Sequence, residues 1–341
     1  MLDHSSQQLS ALINAASDTL SLWFVDEATD INCLSSIQPR DNLSIISNRY
    51  DLHQQALACG LNSRFGDFTL AIDQQYEQIF FRIAKEKPIV HYLINRSADL
   101  LVRQGLLTLV GEKGDGTKTY IDKAKKYFNS SAQAKKNNII YTGHIRFFSK
   151  GKPLDDKHYT SLQTITDDMI SKPGVFGWNK IDQGSKYLVD NLAEILASNS
   201  IASDASVLDL GCGYGYLSIE AAKLGSFTFT ATDNNAVAVS CCQANLEQRG
   251  IAGQALASHC ADNIEQRFDL VLCNPPFHTG FDTDKDLTPL FLQQAKQHLN
   301  SNGVAVFVVN SFIPLEAKAE SIFKTIEVIA KNTQFKVVAL R

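Results

Sequence analysis

Two consecutive α/β sheets are the architecture this sequence predicts. Three observations carry the expectation. The length of 341 residues suits about two domains. Strand-like and helix-like stretches alternate from end to end. A polar segment punctuated by Pro and Gly, SKGKPLDDKHYTSL (149–162), divides the chain near its middle. Hydrophobic residues make up 44% and charged residues 20%, enough to bury a core, which excludes wholesale disorder. Eight prolines and 19 glycines exclude collagen-like or Pro-rich architecture. No apolar run reaches the roughly 18 residues a membrane helix needs. The opening MLDHSSQQLSALINAASDTL lacks a basic segment followed by an apolar one. A cytoplasmic protein without signal peptide or membrane partner is therefore expected.

In the first half, 20–25 (LSLWFV), 43–47 (LSIIS), 68–72 (FTLAI) and 78–83 (QIFFRI) are short and rich in β-branched or aromatic residues, so they are expected as strands. Apolar residues at helical spacing mark 91–104 as a helix, ended by Gly105, after which 106–110 resumes as a strand. A basic helix is expected over 118–128 and terminal strands over 139–148. The domain boundary is placed at 160/161. In the second half, helices are expected over 182–196, 217–224, 236–248 and 287–299. Strands are expected over 206–210, 227–232, 254–259, 268–273 and 303–310, with 326–330 and 335–340 as an antiparallel terminal pair. Such a doubly wound sheet binds ligands at the carboxyl ends of its strands.

The seven cysteines (Cys33, Cys59, Cys212, Cys241, Cys242, Cys260, Cys273) are odd in number and form no C-x-x-C pair. Reduced, buried thiols are expected rather than disulfides or a metal site. Net charge is −4, yet 113–157 carries eleven basic residues against four acidic ones. A one-sided stripe of this kind suits contact with a phosphate backbone, although a solvated helix face with a linker also accounts for it.

Chemistry concentrates in two motifs. Asp209-Leu210-Gly211-Cys212-Gly213-Tyr214-Gly215 follows one strand and precedes a helix. Its glycines let backbone approach a bound cofactor without Cβ clashes. A dinucleotide fingerprint would need glycine where Tyr216 stands, so the spacing disfavours NAD or FAD. It suits S-adenosylmethionine, whose charged methionine end Asp209 would meet directly or through water. Asp233, at the end of the next strand, can accept the ribose hydroxyls. The second motif, Asn274-Pro275-Pro276-Phe277, follows strand 268–273. The prolines fix the backbone and remove two N–H donors. The Asn274 amide oxygen and the Pro275 carbonyl can then accept both hydrogens of an exocyclic amine, while Phe277 offers a ring face to a flat base. That is catalysis by positioning and electrostatics. In isolation, the same four residues also suit a rigid turn with a core phenylalanine.

Together these motifs resemble class I S-adenosylmethionine-dependent methyltransferases acting on planar amino nitrogens. Pro173-Gly174-Val175-Phe176, Ile181-Asp182-Gln183-Gly184-Ser185 and Asn274-Pro275-Pro276-Phe277-His278 narrow the resemblance to the ribosomal RNA small subunit methyltransferase C family, guanine-N2 enzymes of 16S rRNA. The resemblance covers most of 172–341 with specific motifs, and the rest by length and element order. It implies two tandem Rossmann-like methyltransferase folds, each a mostly parallel sheet with an antiparallel terminal strand. The first copy, over 1–160, would be degenerate and serve RNA binding or support, and 161–341 would be catalytic. It further implies that Asn274, Pro275 and Phe277 act on the base. Asp209, Gly211, Cys212, Gly213, Gly215, Asp233, Asn234 and Asn274 would line the cofactor. Phe176, Asp182, Phe277 and His278 would face the substrate, with Phe176 and the 182–185 turn also covering the cofactor, although a helix entry with Asp182 near its N-cap also accounts for that turn. His259, with Asp262 nearby, stands where the family usually has Asp or Asn at the adenine. Trp178 is either a lid or core. Expected partners are S-adenosylmethionine and rRNA, with the small subunit as the setting and a monomer as the working form. A large-subunit rRNA, adenine-N6 DNA or glutamine-N5 protein methyltransferase, or an assembly factor with a vestigial pocket, are the rival readings.

Overall fold

Strands that carry apolar residues at consecutive positions need cover on both faces. Two such strands, Ser21–Val25 (β1, SLWFV) and Ser206–Leu210 (β10, SVLDL), each sit at the centre of a separate sheet. The computed structural model describes residues 3–166, 169–276 and 287–341. It divides into two units, Met1–Ser161 and Leu162–Arg341.

In the first unit, α1 (His4–Ala15), β1, α2 (Ile31–Leu34), β2 (Leu43–Ser47), α3 (Tyr50–Ala58), β3 (Asn62–Phe65), β4 (Tyr76–Arg82), α4 (Lys87–Leu100), β5 (Leu101–Glu112), α5 (Thr117–Tyr127), β6 (Lys135–Asn137) and β7 (Ile140–Arg146) follow one another. The strands form a seven-stranded sheet in the order β3-β2-β1-β4-β5-β7-β6. The first five are parallel, and β7 turns antiparallel against both β5 and β6. Alternate β1 residues feed two cores. Leu22 and Phe24 pack with Ile94 of α4 and Ile121 of α5, while Trp23 and Val25 pack with Leu9 of α1, Leu34 of α2 and Leu52 of α3.

The second unit opens with a hairpin of β8 (Gln163–Thr166) and β9 (Met169–Ser171). It continues through α6 (Gln183–Ser198), β10, α7 (Tyr216–Ala221), β11 (Thr228–Asp233), α8 (Ala236–Gln248), β12 (Gly253–Ala257), β13 (Phe268–Cys273), α9 (Thr288–Gln297), β14 (Leu299–Asn310), α10 (Leu315–Ala319), β15 (Ile326–Lys331) and β16 (Phe335–Leu340). Its sheet order, β12-β11-β10-β13-β14-β16-β15, repeats the first unit position by position. Cover is also shared alike: α6, α7 and α8 on one face, α9 and α10 on the other.

The repetition extends to an irregularity. Between β4 and β5 the register jumps, with Tyr76 opposite Leu101 and Gln78 opposite Leu106. Between β13 and β14, Phe268 faces Leu299 and Leu270 faces Val304. A glycine ends each jump. A Cβ on Gly105 would lie 2.9 Å from the Val102 carbonyl oxygen, and one on Gly303 would lie 2.9 Å from that of Phe268.

The structure corrects two expected elements. Residues 68–72 are a turn rather than a strand, and the third strand of the sheet is β3. Phe68 leaves the backbone pattern to become a core plug, meeting Phe24 edge-on with ring centroids 5.6 Å apart. The helix expected over 91–104 is α4, which starts at Lys87 with a proline in its first turn and stops at Leu100; residues 101–104 already belong to β5. Helix α1 and strand β3 were not expected from local composition. All seven cysteines are thiols rather than disulfide halves, and six are buried. Among the described residues no helix is long and apolar enough to cross a membrane, and no group of His, Cys, Asp and Glu could hold a metal ion.

Candidate active site

β10 delivers its last residues to the carboxyl edge of the second sheet, at the point where the strand order reverses. The chain leaves there through Gly211, Gly213 and Gly215, at φ of 82°, 54° and 90°, a left-handed conformation that strains residues bearing a Cβ. Gly215 is also pressed for space, since a Cβ there would lie 2.8 Å from Cys242 Sγ of α8. Asp233, the end of β11, shapes this loop. Its Oδ2 accepts from the Gly213 N–H and its Oδ1 from the Asn235 N–H, both at 2.9 Å.

Asp209 lies beneath the loop, wholly buried. Its Oδ2 accepts from the Ser218 backbone N–H (3.1 Å) and hydroxyl (2.6 Å), and its Oδ1 has no protein partner. Burial pushes its carboxyl up to about 6, against the two Ser218 bonds and with a small push from Asp233.

The 172–176 segment is tied beside the loop. Asn235 caps α8 by accepting from the Val237 N–H, and its amide donates to the Gly174 carbonyl at 2.6 Å. Asn245, buried on α8, donates to both the Ile170 and the Tyr214 carbonyls and so joins β9 to the glycine loop.

β13 runs alongside β10 with Leu272 opposite Asp209. Asn274, two residues on, therefore comes level with Gly211. Its Nδ2 donates to Asp182 Oδ2 and to Ser185 Oγ, each at 2.8 Å. Asp182 is also the N-cap of α6, accepting from the Ser185 N–H. Pro275 is buried and Pro276 exposed.

A family profile, the methyltransferase small domain, matches residues 167–339. The chain is 31% identical to the ribosomal RNA small subunit methyltransferase C of Pseudoalteromonas translucida, over 77% of this chain and 76% of the relative. It belongs to this family. The Escherichia coli member is 30% identical over 84% of this chain and 82% of its own. The fold is that of the T. thermophilus 16S rRNA N2 G1207 methyltransferase, solved with AdoMet and guanosine. That likeness has a TM-score of 0.80 at 22% identity, covering 94% of this chain and 87% of the other.

Against this family background, the remaining expected site residues divide by where the fold puts them. Gly211, Cys212, Gly213 and Gly215 follow β10, Asp233 ends β11 and Asn234 follows it. Asp182, in the turn expected to cover the cofactor or to cap a helix, caps α6 and grips Asn274. Phe176 stands 79% exposed beyond Val175, whose side chain comes within 3.9 Å of where a Gly213 Cβ would be. Trp178 packs, half-buried, against the α6–α8 core. After β12, Asp262 closes a turn by accepting from the Ser258 hydroxyl and the His259 N–H. Cys260 and Ala261 in that turn have φ of 53° and 62°. His259 Nδ1 is buried without a partner, so it, rather than Asp262, has an unmet hydrogen-bonding atom. Phe277 and His278 lie outside the described residues.

Sequence reasoning missed Ser218, Asn235, Asn245 and the grip of Ser185 on Asn274. Asn235 had a findable signal, a capping residue just ahead of a helix. Asn245 had none. Phe312, just past the end of β14, was also missed. It is 73% exposed, at the carboxyl edge that also carries Asn274.

Proposed function

We propose that this protein transfers a methyl group from S-adenosylmethionine to the exocyclic N2 of a guanine in 16S rRNA, with the second unit catalytic. The observation that carries the reading is Asn274. It stands level with a loop of three left-handed glycines, and its Nδ2 is fully engaged by Asp182 and Ser185. Its Oδ1 thus points away from α6, and no described residue donates to it. The names of the Pseudoalteromonas and Escherichia coli relatives support rRNA of the small subunit as the substrate.

The cradle suits the cofactor on two structural grounds: three Cβ-free positions in one turn, and the orphaned Asp209 Oδ1 beneath them. Gly211, Cys212, Gly213, Gly215, Asp233, Asn234, His259 and Asp262 would hold it, and when bound it supplies an electrophilic methyl group. Asn274 Oδ1 and the Pro275 carbonyl accept the two hydrogens of the guanine amine. This draws the nitrogen toward tetrahedral geometry and aims its lone pair. Phe176, Phe277 and Phe312 supply ring faces for the base.

The first unit orients the RNA through Lys118, Lys126, Lys135, Lys136 and Lys152, all exposed. The protein works as a cytoplasmic monomer on the small subunit. The test incubates purified protein and labelled S-adenosylmethionine with separated 16S rRNA, small subunits, 23S rRNA, DNA and protein. Label is expected in a guanine N2 of 16S rRNA alone. Asn274→Ala is expected to lose transfer by roughly 100-fold or more while calorimetric cofactor binding persists. Full activity in that variant would remove the amine-acceptor role.

A further inference from the structure

We infer that Asp182 and Ser185 are positioning residues that fix which end of the Asn274 amide faces the substrate amine, an inference that rests on the proposed transfer to an exocyclic nitrogen. An asparagine amide is nearly symmetric in shape, yet only its oxygen can accept a hydrogen bond. If the group were turned over, it would present its NH2 to the guanine amine, donor against donor, and transfer would lose its grip on the nitrogen. Asp182 forbids that orientation. An ionised carboxylate has only acceptors, so the Asn274 edge that meets Asp182 Oδ2 must be Nδ2. Ser185 Oγ takes the second hydrogen at the same 2.8 Å. With both hydrogens spoken for, Oδ1 is committed to the opposite side.

Two further observations support a built device. Gly184, between the two gripping residues, has no positive φ that would require glycine. Its missing side chain instead makes room, since a Cβ there would lie 3.1 Å from Asp182 Oδ2 and 3.2 Å from Phe335 Cε1. The first unit also repeats the grip with a different occupant. Asp3, the N-cap of α1, and Ser6, three residues on, both accept from Arg82 Nη1 at the end of β4, at 3.1 and 3.2 Å. The spacing Asp-x-x-Ser at the start of the first helix is thus common to both units. A guanidinium has five donors and no acceptor. In its place the first unit has nothing to receive an amine, whereas Asn274 in the second unit has an oxygen to spare.

The test separates this orienting role from helix capping. Asparagine caps helices as well as aspartate does, so Asp182→Asn keeps the α6 cap while letting the Asn274 amide turn over. Expected for Asp182→Asn is a kcat lowered roughly 10- to 100-fold. KM for the RNA, affinity for S-adenosylmethionine and melting temperature are expected close to wild type. Ser185→Ala is expected to lower kcat, and Ser185→Thr, which restores the hydroxyl, to recover most of it. A second readout does not depend on turnover. With 15N-asparagine labelling, the Asn274 side-chain NH2 pair, identified by its loss in Asn274→Ala, is expected to shift in Asp182→Asn. Wild-type kcat in Asp182→Asn, or an NH2 pair that the substitution leaves unmoved, would overturn the inference. Absence of any guanine methylation by the wild-type protein would instead overturn the proposed function, with the labelling experiment still deciding how Asn274 is held.

Discussion

A carboxylate buried with one oxygen unpaired holds its proton longer than one in water, and each unit contains such a group. Asp209 is pushed up to about 6 by burial. Asp26, one residue past β1, is pushed up to about 7 by burial and by the neighbouring charge of Glu27; its Oδ1 accepts from the Ala28 N–H and its Oδ2 has no partner. Both folded values lie above the ordinary 3.8. The folded state therefore binds these protons more tightly than the unfolded chain. The stability they contribute is complete below about 4 and is lost as pH rises through about 6 and 7. Unfolding free energy is accordingly expected to increase as pH falls from 8 to 5. Asp209→Asn is expected to remove its own share of that slope, about 1.4 kcal/mol between pH 8 and 5, as read from urea midpoints at the two pH values. A slope unchanged in the variant would show that Asp209 ionises normally. At this scale the sequence displayed the motif residues but not their partners. Asp182 and Asn274 are 92 residues apart in the chain, and no local pattern links a helix cap to the end of a strand.

The glycine loop and the helix after it form the element most exposed to a single substitution. Gly215→Ala would place a side chain at φ 90° with its Cβ 2.8 Å from Cys242 Sγ. Strain and overpacking together predict a loss of about 1–3 kcal/mol, together with weaker S-adenosylmethionine binding because the loop is displaced. Chemical denaturation and calorimetry on the same variant measure both, and wild-type values for each would contradict this account of the loop. Most elements of the second unit were legible: β10, α8, β13 and β16 begin and end where apolar runs meet Gly, Pro or capping residues. The first unit was harder. Phe68 and its neighbours have strand composition, but Phe68 is a plug against Phe24, because tertiary burial outweighed local propensity. Helix α4 passes straight into β5 without a break in apolar content, so periodicity ran on past its end.

Over the whole molecule, two units share one strand order and one register jump, although their sequences do not visibly match. What a fold of this kind conserves is the placement of apolar positions and glycines, which many sequences satisfy. Strand register makes Ser21, opposite Gln78, the counterpart of Val207, opposite Leu270, so Trp23 stands at the place of Asp209, and Val25, Glu27 and Thr29 at those of the three glycines. Calorimetry is therefore expected to find one S-adenosylmethionine per chain; a stoichiometry of two would refute the assignment of the cofactor to the second unit alone. Replacing Lys118, Lys126, Lys135 and Lys136 by alanine is expected to reduce the salt dependence of rRNA binding, by a slope of about 0.7–0.9 for each phosphate no longer neutralised, while cofactor affinity stays put. An unaltered slope would leave that stripe as a merely solvated face. The Arg82 grip has an evolutionary consequence. A guanidinium stays protonated at any pH the fold survives, and no exchange of Arg82 alone would recreate the glycine turn or the acid beneath it. Several simultaneous changes would be needed to give the first unit a cofactor loop of this kind, so single substitutions can remodel it only as scaffold or surface.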